Sequence, residues 1–208
     1  MARLSRVKVE GEGAFYHLCG RVAGVKGEYP LADKRCRRKI VDFIKLFSKV
    51  YCLEVLGFCI LGNHYHLVLH MSAPREMSRK ELRSRAELLY KETVLDGWLE
   101  ANWKRFHERI FDVSELMRSL QSKIARWYNV THNRRGRFWA DRFKSVLLED
   151  EKAVFDCLLY VELNPVRAGI VERPESYEGS SLYYREIKDD KWMAPITEIA
   201  HRPKRASA

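Results

Sequence analysis

The sequence GNHYHLVLH, at residues 62–70, indicates the architecture of the chain around it. Side chains of a β-strand alternate between its two faces. Read as a strand, this stretch places histidines on one face and apolar side chains on the other. The preceding segment YCLEVLGFCI, at 51–60, is densely apolar, and LGN forms a short turn between the two. We therefore predict an antiparallel hairpin whose second strand carries the histidines.

Strand and helix patterns alternate on both sides of this hairpin. AFYHLCGRVA (14–23) is typical of a first strand, and FKSVLLE (143–149) of a last one. Helical spacing is found at 33–50 and 112–132, with Asp33 and either Asp112 or Ser114 as predicted N-caps. A final helix is predicted from near Asp150 to Asn164, because proline disfavours helix at the residue before it. This order predicts an α+β fold, an antiparallel sheet with helices packed on one face.

The domain organisation follows from the place where the alternation of strand and helix patterns is interrupted. Residues 72–111 are charged and aromatic and have helical spacing, which indicates a helical insertion. We predict a single domain over 1–182 that contains this insertion at about 72–111. From 172 onward the sequence is typical of a loop, and 183–208 form a basic C-terminal extension.

The composition narrows the class of protein. Lysine and arginine number 38 against 28 acidic residues, a formal net charge of +10, which favours a polyanionic partner such as nucleic acid. Five cysteines without a CxxC pair indicate buried thiols in a reducing cytoplasm. The N-terminal MARLSRVKVEGEG lacks the apolar core of a signal peptide, and no apolar run reaches the roughly 20 residues of a membrane span.

The paired histidines predict a metal site. His64 and His66 project side by side from one strand, and two imidazoles held in this way can share a divalent ion. The alternative is that they are ordinary polar positions on an exposed face. His70, at the strand end, is expected to be a surface or supporting residue. His17, on the first strand, could approach the site, but an ordinary hydrogen-bonded histidine is the simpler interpretation.

A nucleophile and a third ligand are candidates on the last helix. Tyr160 and Asn164 are four residues apart, so they lie on one helix face. Asn164 could give a carbonyl oxygen to the metal, and the Tyr160 hydroxyl could attack a phosphate to form a covalent phosphotyrosine. The alternatives are a core aromatic ring for Tyr160 and a helix C-cap for Asn164.

The loop HNRRGRFWADRFK, at 132–144, combines basic and aromatic side chains. Basic groups neutralise phosphates and aromatic faces stack on unpaired bases. We expect the aromatic residues to anchor the loop and the basic residues to face DNA. The predicted DNA-binding residues are Arg134, Arg135, Arg137, Arg142, Lys144 and, after the helix, Arg167; Arg21 is a weaker candidate.

Three motifs in this order, GNHYHLVLH, NRRGRFWADRFKS and YVELNPVRAGIVERP, resemble the REP-associated tyrosine transposases of the HUH endonuclease superfamily. The resemblance covers about 12–71 and 112–182. It implies a ferredoxin-like domain that cleaves and rejoins single-stranded DNA at a short hairpin flanked by a recognition tetranucleotide. It also implies Tyr160 as the nucleophile, His64, His66 and Asn164 as ligands of Mg²⁺ or Mn²⁺, and a 5′-phosphotyrosine with a free 3′-OH as the product.

Other functions stay open at this point. A replication initiator or relaxase would use the same chemistry, although the chain has no P-loop. A non-catalytic nucleic-acid-binding regulator would keep the fold alone. A metallohydrolase would need a carboxylate beside the histidines, for which Glu162 is the candidate on the last helix. The sequence does not decide between monomer and homodimer, nor whether the tyrosine acts in its own subunit.

Overall fold

The computed structural model describes residues 13–24 and 28–195. Its sheet has four strands, β1 (Ala14–Arg21), β2 (Leu53–Ile60), β3 (His64–Met71) and β4 (Lys144–Leu148). Their order is β2-β3-β1-β4, and each pair of neighbours is antiparallel. The predicted α+β class with an antiparallel sheet is confirmed, and the succession of strands and helices around the insertion is of the ferredoxin-like type.

Seven α-helices surround the sheet in the described part of the chain. They are α1 (Lys34–Val50), α2 (Arg79–Ala86), α3 (Glu92–Asp96), α4 (Glu100–Ile110), α5 (Val113–Thr131), α6 (Glu151–Arg167) and α7 (Ser181–Glu186). Three of them, α2 to α4, occupy the predicted helical insertion. None of these helices is both long enough and apolar enough to cross a membrane.

One face of the sheet is covered by α1 and α5, as their amphipathic patterns predict. The Asp33 carboxylate accepts from the Cys36 amide at 2.8 Å and starts α1, and Asp112 caps α5 in the same way. Apolar residues of both helices pack against the sheet side chains that alternate with the histidines, including Tyr65 and Leu67. The main core lies on this side.

The prediction that helices pack on one face needs a correction, because α6 lies on the opposite face. Leu158 and Val161 of α6 form a second buried cluster with Leu56 of β2 and Val68 of β3. Val68 shares the face of β3 that carries the histidines. The apolar stripe of α6 thus places this helix on the face of the sheet that carries the histidines, and other side chains of α6 lie near them.

The predicted end of α6 at Asn164 is also wrong, since the helix continues through Pro165 to Arg167. A proline within a helix lacks the N–H that would donate to the carbonyl four residues earlier. Here Pro165 is buried in the packed face of α6, and its own carbonyl accepts from the Ile170 amide at 2.9 Å. Tertiary packing outweighs the local preference.

The segment after 172 is more structured than its sequence pattern predicts. It contains a 3₁₀ turn at Pro174–Ser176 and helix α7, which runs across the predicted boundary between 182 and 183. The Gly179 carbonyl accepts from Ile60 at 2.8 Å, and the Ala194 amide donates to Val55 at 2.9 Å, so this segment covers the free edge of β2. The N-terminal residues 1–12 and the basic tail from 196 lie outside the described residues.

The insertion shares the main core instead of forming a separate one. Trp103, Phe106 and Ile110 of α4 are buried in the same cluster as the α1–α5 face of the sheet. All five cysteines are free thiols, of which Cys36, Cys52 and Cys59 are buried and the other two half-buried.

Candidate active site

The paired histidines lie on one face of β3, beside the end of β1. Their ring centroids are 5.1 Å apart, and the rings are nearly perpendicular. His64 is opposite Arg21 of β1, and His66 is opposite Cys19. His66 is only 6% exposed, whereas His64 is half-buried. The pair is therefore held on a rigid central strand, as the alternation predicted, but is less exposed than an ordinary polar sheet face.

Each histidine of the pair has a hydrogen-bond partner at Nδ1. The side-chain oxygen of Asn63 lies 2.8 Å from Nδ1 of His64. Nε2 of His17, on β1, lies 2.8 Å from Nδ1 of His66. His17 is thus hydrogen-bonded, as the simpler interpretation expected, but its bond is to the candidate site itself.

The surroundings keep all three imidazoles neutral. Burial lowers the pKa of His17, and burial together with the nearby Arg21 lowers the pKa of His64. Burial, with the neighbouring His17 and His64, lowers the pKa of His66 to about 3. At neutral pH each ring therefore carries a nitrogen lone pair, which is the form that binds a metal ion.

Tyr160 meets this group from α6. Its ring lies edge-on to His66, with 5.7 Å between the centroids, and edge-on to His17 at 6.3 Å. Tyr160 is 41% exposed, so it lies at the surface and not in the core. The tyrosine and the histidines come together within one chain, although more than ninety residues separate them in sequence.

Two further residues of α6 have different positions relative to this group. The exposed guanidinium of Arg167 lies over the Tyr160 ring, with Cζ 5.5 Å from the centroid. The Asn164 side chain bonds back to its own helix, its Nδ2 donating to the Tyr160 carbonyl at 3.0 Å. Arg167 therefore joins the candidate site by contact, whereas Asn164 shares its helix face but, among the described residues, has no hydrogen bond to the histidines.

One feature of the histidine pair, which the sequence does not reveal, fits a divalent metal ion. Nε2 of His66 is buried and has no hydrogen-bond partner among the described residues, although buried polar nitrogens are nearly always paired. The same residues contain no cluster of three or more His, Cys, Asp or Glu side chains that could hold a metal. A metal here would therefore depend on two imidazoles and a neutral oxygen such as that of Asn164.

The carboxylate required by a metallohydrolase lies elsewhere. Glu162 turns to the packed side of α6, where its carboxylate is hydrogen-bonded to the Ser181 hydroxyl and accepts from the Leu182 amide at 3.2 Å. Burial raises the pKa of Glu162. This side chain fastens α6 to α7 and does not point to the histidines.

In the basic loop the aromatic residues anchor the loop, as predicted, and most of the basic residues are exposed. Phe138 and Phe143 are buried, and the Trp139 indole donates to the Gln121 carbonyl at 2.9 Å. Gly136 has a φ of 92°, in the left-handed region that favours glycine. Four of the predicted DNA-binding side chains are exposed, namely Arg135, Arg137, Arg142 and Lys144, while Arg134 is half-buried over the Phe138 ring.

Strand pairing connects this loop to the histidine pair. The Ala140 amide donates to the Arg21 carbonyl at 2.9 Å, which joins the loop to the end of β1. Lys144 is opposite Cys19, and Cys19 is in turn opposite His66, so Lys144 lies two strands, about 10 Å, from His66. The sequence-based predictions gave Arg21 and His17 too little weight as site residues. Both are an even number of residues from Cys19 on β1, so the strand alternation already placed all three side chains on one face.

An open groove reaches the site from the other side. It has a volume of about 710 Å³ and lies between the β2–β3 turn, the start of α1 and the segment after α6. Among its lining residues are Tyr29, Arg37, Asn63, His64, Ile170 and Tyr177. His64 thus lines this groove and is also opposite Arg21 of β1.

Comparison with known proteins gives two informative similarities. The chain is 24% identical over 161 residues to a Haemophilus influenzae protein named "Putative REP-associated tyrosine transposase", which covers 74% of this chain and 76% of that protein. It also resembles a solved structure of a REP-associated tyrosine transposase bound to a REP hairpin, with a TM-score of 0.58, 14% identity and full coverage of both chains. No family model matches the chain. In sequence and in fold the chain is thus similar to REP-associated tyrosine transposases, which confirms the resemblance found in its motifs.

Proposed function

We propose that this chain is a metal-dependent endonuclease and transposase of single-stranded DNA, which cleaves and rejoins strands at hairpin sites through Tyr160. The observation that carries the proposal is the edge-on approach of Tyr160 to His66, at 5.7 Å between ring centroids. The exposed position of this phenol beside neutral imidazoles supports a role as nucleophile more than a role in core packing.

In the proposed reaction the Tyr160 oxygen attacks the scissile phosphorus and the bond to the 3′ oxygen breaks. The phenol loses its proton and the leaving 3′ oxygen gains one, so the products are a 5′-phosphotyrosine and a free 3′-OH. Attack by a 3′-OH on the phosphotyrosine reverses the step and joins strands. Arg167, whose guanidinium lies over the Tyr160 ring, would supply positive charge to the attacked phosphate.

The cofactor would be Mg²⁺ or Mn²⁺, held by His64, His66 and the side-chain oxygen of Asn164. When bound, such an ion polarises and orients the scissile phosphate. The free Nε2 of the buried His66 supports this assignment. For Asn164 the support is only its position on the same helix face as Tyr160. Its Nδ2 donates to the backbone carbonyl of Tyr160 and not to a residue of the histidine group.

The substrate class rests on charge and on homology. The solved homologue is bound to a REP hairpin, and we extend hairpin binding to this chain. A strand could enter along the groove beside His64 and leave across Arg21 and Lys144, which are both exposed. Basic side chains on that path would neutralise its phosphates.

The deciding experiment is a covalent trapping assay. Single-stranded hairpin DNA labelled at its 3′ end is incubated with the protein and Mg²⁺ or Mn²⁺, then denatured and resolved by electrophoresis. We expect a labelled adduct with the wild-type chain and with Tyr183→Phe, a tyrosine of α7 that packs against the main core, and none with Tyr160→Phe. Cleavage without an adduct would favour a hydrolase, and binding without cleavage would favour a regulator, and either result would refute the proposal.

A further inference from the structure

His64 and His66 of the candidate site are each hydrogen-bonded at the same ring nitrogen, Nδ1. Each has a hydrogen-bond partner at Nδ1, from Asn63 for His64 and from His17 for His66, and both distances are 2.8 Å. Because one ring nitrogen of a neutral imidazole carries the proton and the other a lone pair, these partners influence which nitrogen is free.

For His64 the chemistry of the partner settles the assignment. The contacting atom of Asn63 is a carbonyl oxygen, which can only accept a hydrogen bond. Nδ1 of His64 must therefore donate and carry the proton. Nε2 of the same ring is left with a lone pair.

For His66 the burial of the ring settles the assignment. Its Nε2 is buried without a partner among the described residues, and a proton there would be a buried donor left unpaired, which is unfavourable. A proton on Nδ1 instead donates to Nε2 of His17. The favoured tautomer of His66 again leaves its lone pair on Nε2, and His17 in turn carries its proton on Nδ1.

We propose that His17 and Asn63 are positioning residues that hold His66 and His64 as Nδ1–H tautomers, so that both Nε2 lone pairs are available to one divalent ion. The role of the ion rests on the proposed function, whereas the tautomer assignments rest only on the hydrogen bonds and burial described above. Residues that orient a ligating histidine through its second nitrogen are a general feature of metal sites, and losing one weakens metal affinity by about 10–100-fold.

The tautomers can be measured directly in the metal-free protein. Long-range ¹H–¹⁵N spectra of the histidine side chains, at a pH where the rings are neutral, distinguish Nδ1–H from Nε2–H rings. In the wild-type chain we expect the Nδ1–H form for both His64 and His66. His17→Leu should shift His66 to the Nε2–H form, and Asn63→Ala should do the same to His64. An Nε2–H ring at His66 in the wild-type chain would overturn the proposal.

Metal affinity gives the second measurement, made by titration with Mn²⁺ and without DNA. We expect His17→Leu to weaken binding by at least tenfold. His17→Gln, whose Oε1 can stand where Nε2 of His17 was, should restore affinity to within about threefold of the wild-type value. His70→Asn is the matched control, because His70 is on the same face of β3 but contacts Glu54 and should leave affinity unchanged. Equal affinities of wild type and His17→Leu would overturn the role of His17.

Failure of this inference differs visibly from failure of the proposed function. If Mn²⁺ binds and depends on His17 but no DNA adduct forms, the function is wrong and the positioning roles stand. If an adduct forms but substitution of His17 and Asn63 changes neither the tautomers nor the Mn²⁺ affinity, the function stands and the positioning roles are wrong.

Discussion

The Tyr160 ring lies edge-on to the imidazole of His66 within a single chain, with 5.7 Å between the ring centroids. Both residues are thus available to one substrate without help from a second subunit. If the proposed function is right, the catalytic unit is one molecule, whatever its oligomeric state.

The first prediction is therefore that catalytic variants do not complement one another. A mixture of Tyr160→Phe with His66→Ala should give no more adduct than the two variants give separately, because neither molecule holds both residues. The measurement is the trapping assay on equimolar mixtures, with wild type mixed with Tyr160→Phe as the positive control. Recovery of about a quarter or more of the wild-type signal in the mixture of variants would mean that the tyrosine serves a partner.

The second prediction concerns the basic path beside the histidines. Arg21→Ala and Lys144→Ala should each weaken hairpin binding and reduce the slope of log affinity against log salt by about 0.7, the value for one phosphate contact on a single strand. Arg118→Ala is the control, since Arg118 is exposed on α5, which packs on the other side of the sheet, and pairs with Glu115. A slope that changes as much for Arg118→Ala as for Arg21→Ala would refute this path.

The third prediction tests the packing that puts α6 on the histidine face. Leu158→Ala should lower the free energy of unfolding by about 2–4 kcal/mol, because this side chain is 6% exposed in the second cluster. Leu159→Ala, one position along and 61% exposed, should change it by less than about 0.5 kcal/mol. Urea unfolding measures both values. Similar values for the two variants would contradict the observed orientation of α6.

The fourth prediction concerns the helical insertion. Trp103 is buried in the main core and lies beneath the Arg79 guanidinium, at 4.7 Å from the ring centroid. Trp103→Ala should lower the free energy of unfolding by about 3–5 kcal/mol, and the chain should still unfold in a single transition. Calorimetry would show two separate transitions if the insertion folded as an independent unit.

The fifth prediction concerns alkaline pH. Burial, reinforced by Asp33, raises the pKa of the Cys36 thiol from 9.0 to about 12. Because the folded chain holds this proton more tightly than the unfolded chain, the contribution is present below pH 9. It is lost between pH 9 and 12, at up to about 1.4 kcal/mol per pH unit. Stability measured across this range should fall less steeply for Cys36→Ala than for wild type, and equal slopes would refute the assignment.

Local sequence patterns determined much of this molecule. The period-2 alternation of GNHYHLVLH put His64 and His66 on the face opposite Tyr65. Asp33 was predicted as the cap of α1 and is its cap, and of the two candidates at the start of α5, Asp112 and Ser114, the structure selects Asp112. The motifs also pointed to the family to which the chain is similar and named Tyr160 as a candidate nucleophile. Each of these features depends on residues close together in the chain, where spacing alone fixes geometry.

Only the tertiary structure decided which surfaces meet. It placed α6 on the histidine side of the sheet, continued that helix through Pro165, and brought His17 to within 2.8 Å of His66. It also used the segment after 172 to cover β2. No local period encodes these contacts, because they depend on which of several apolar faces bury one another. That competition is resolved by packing across the whole chain.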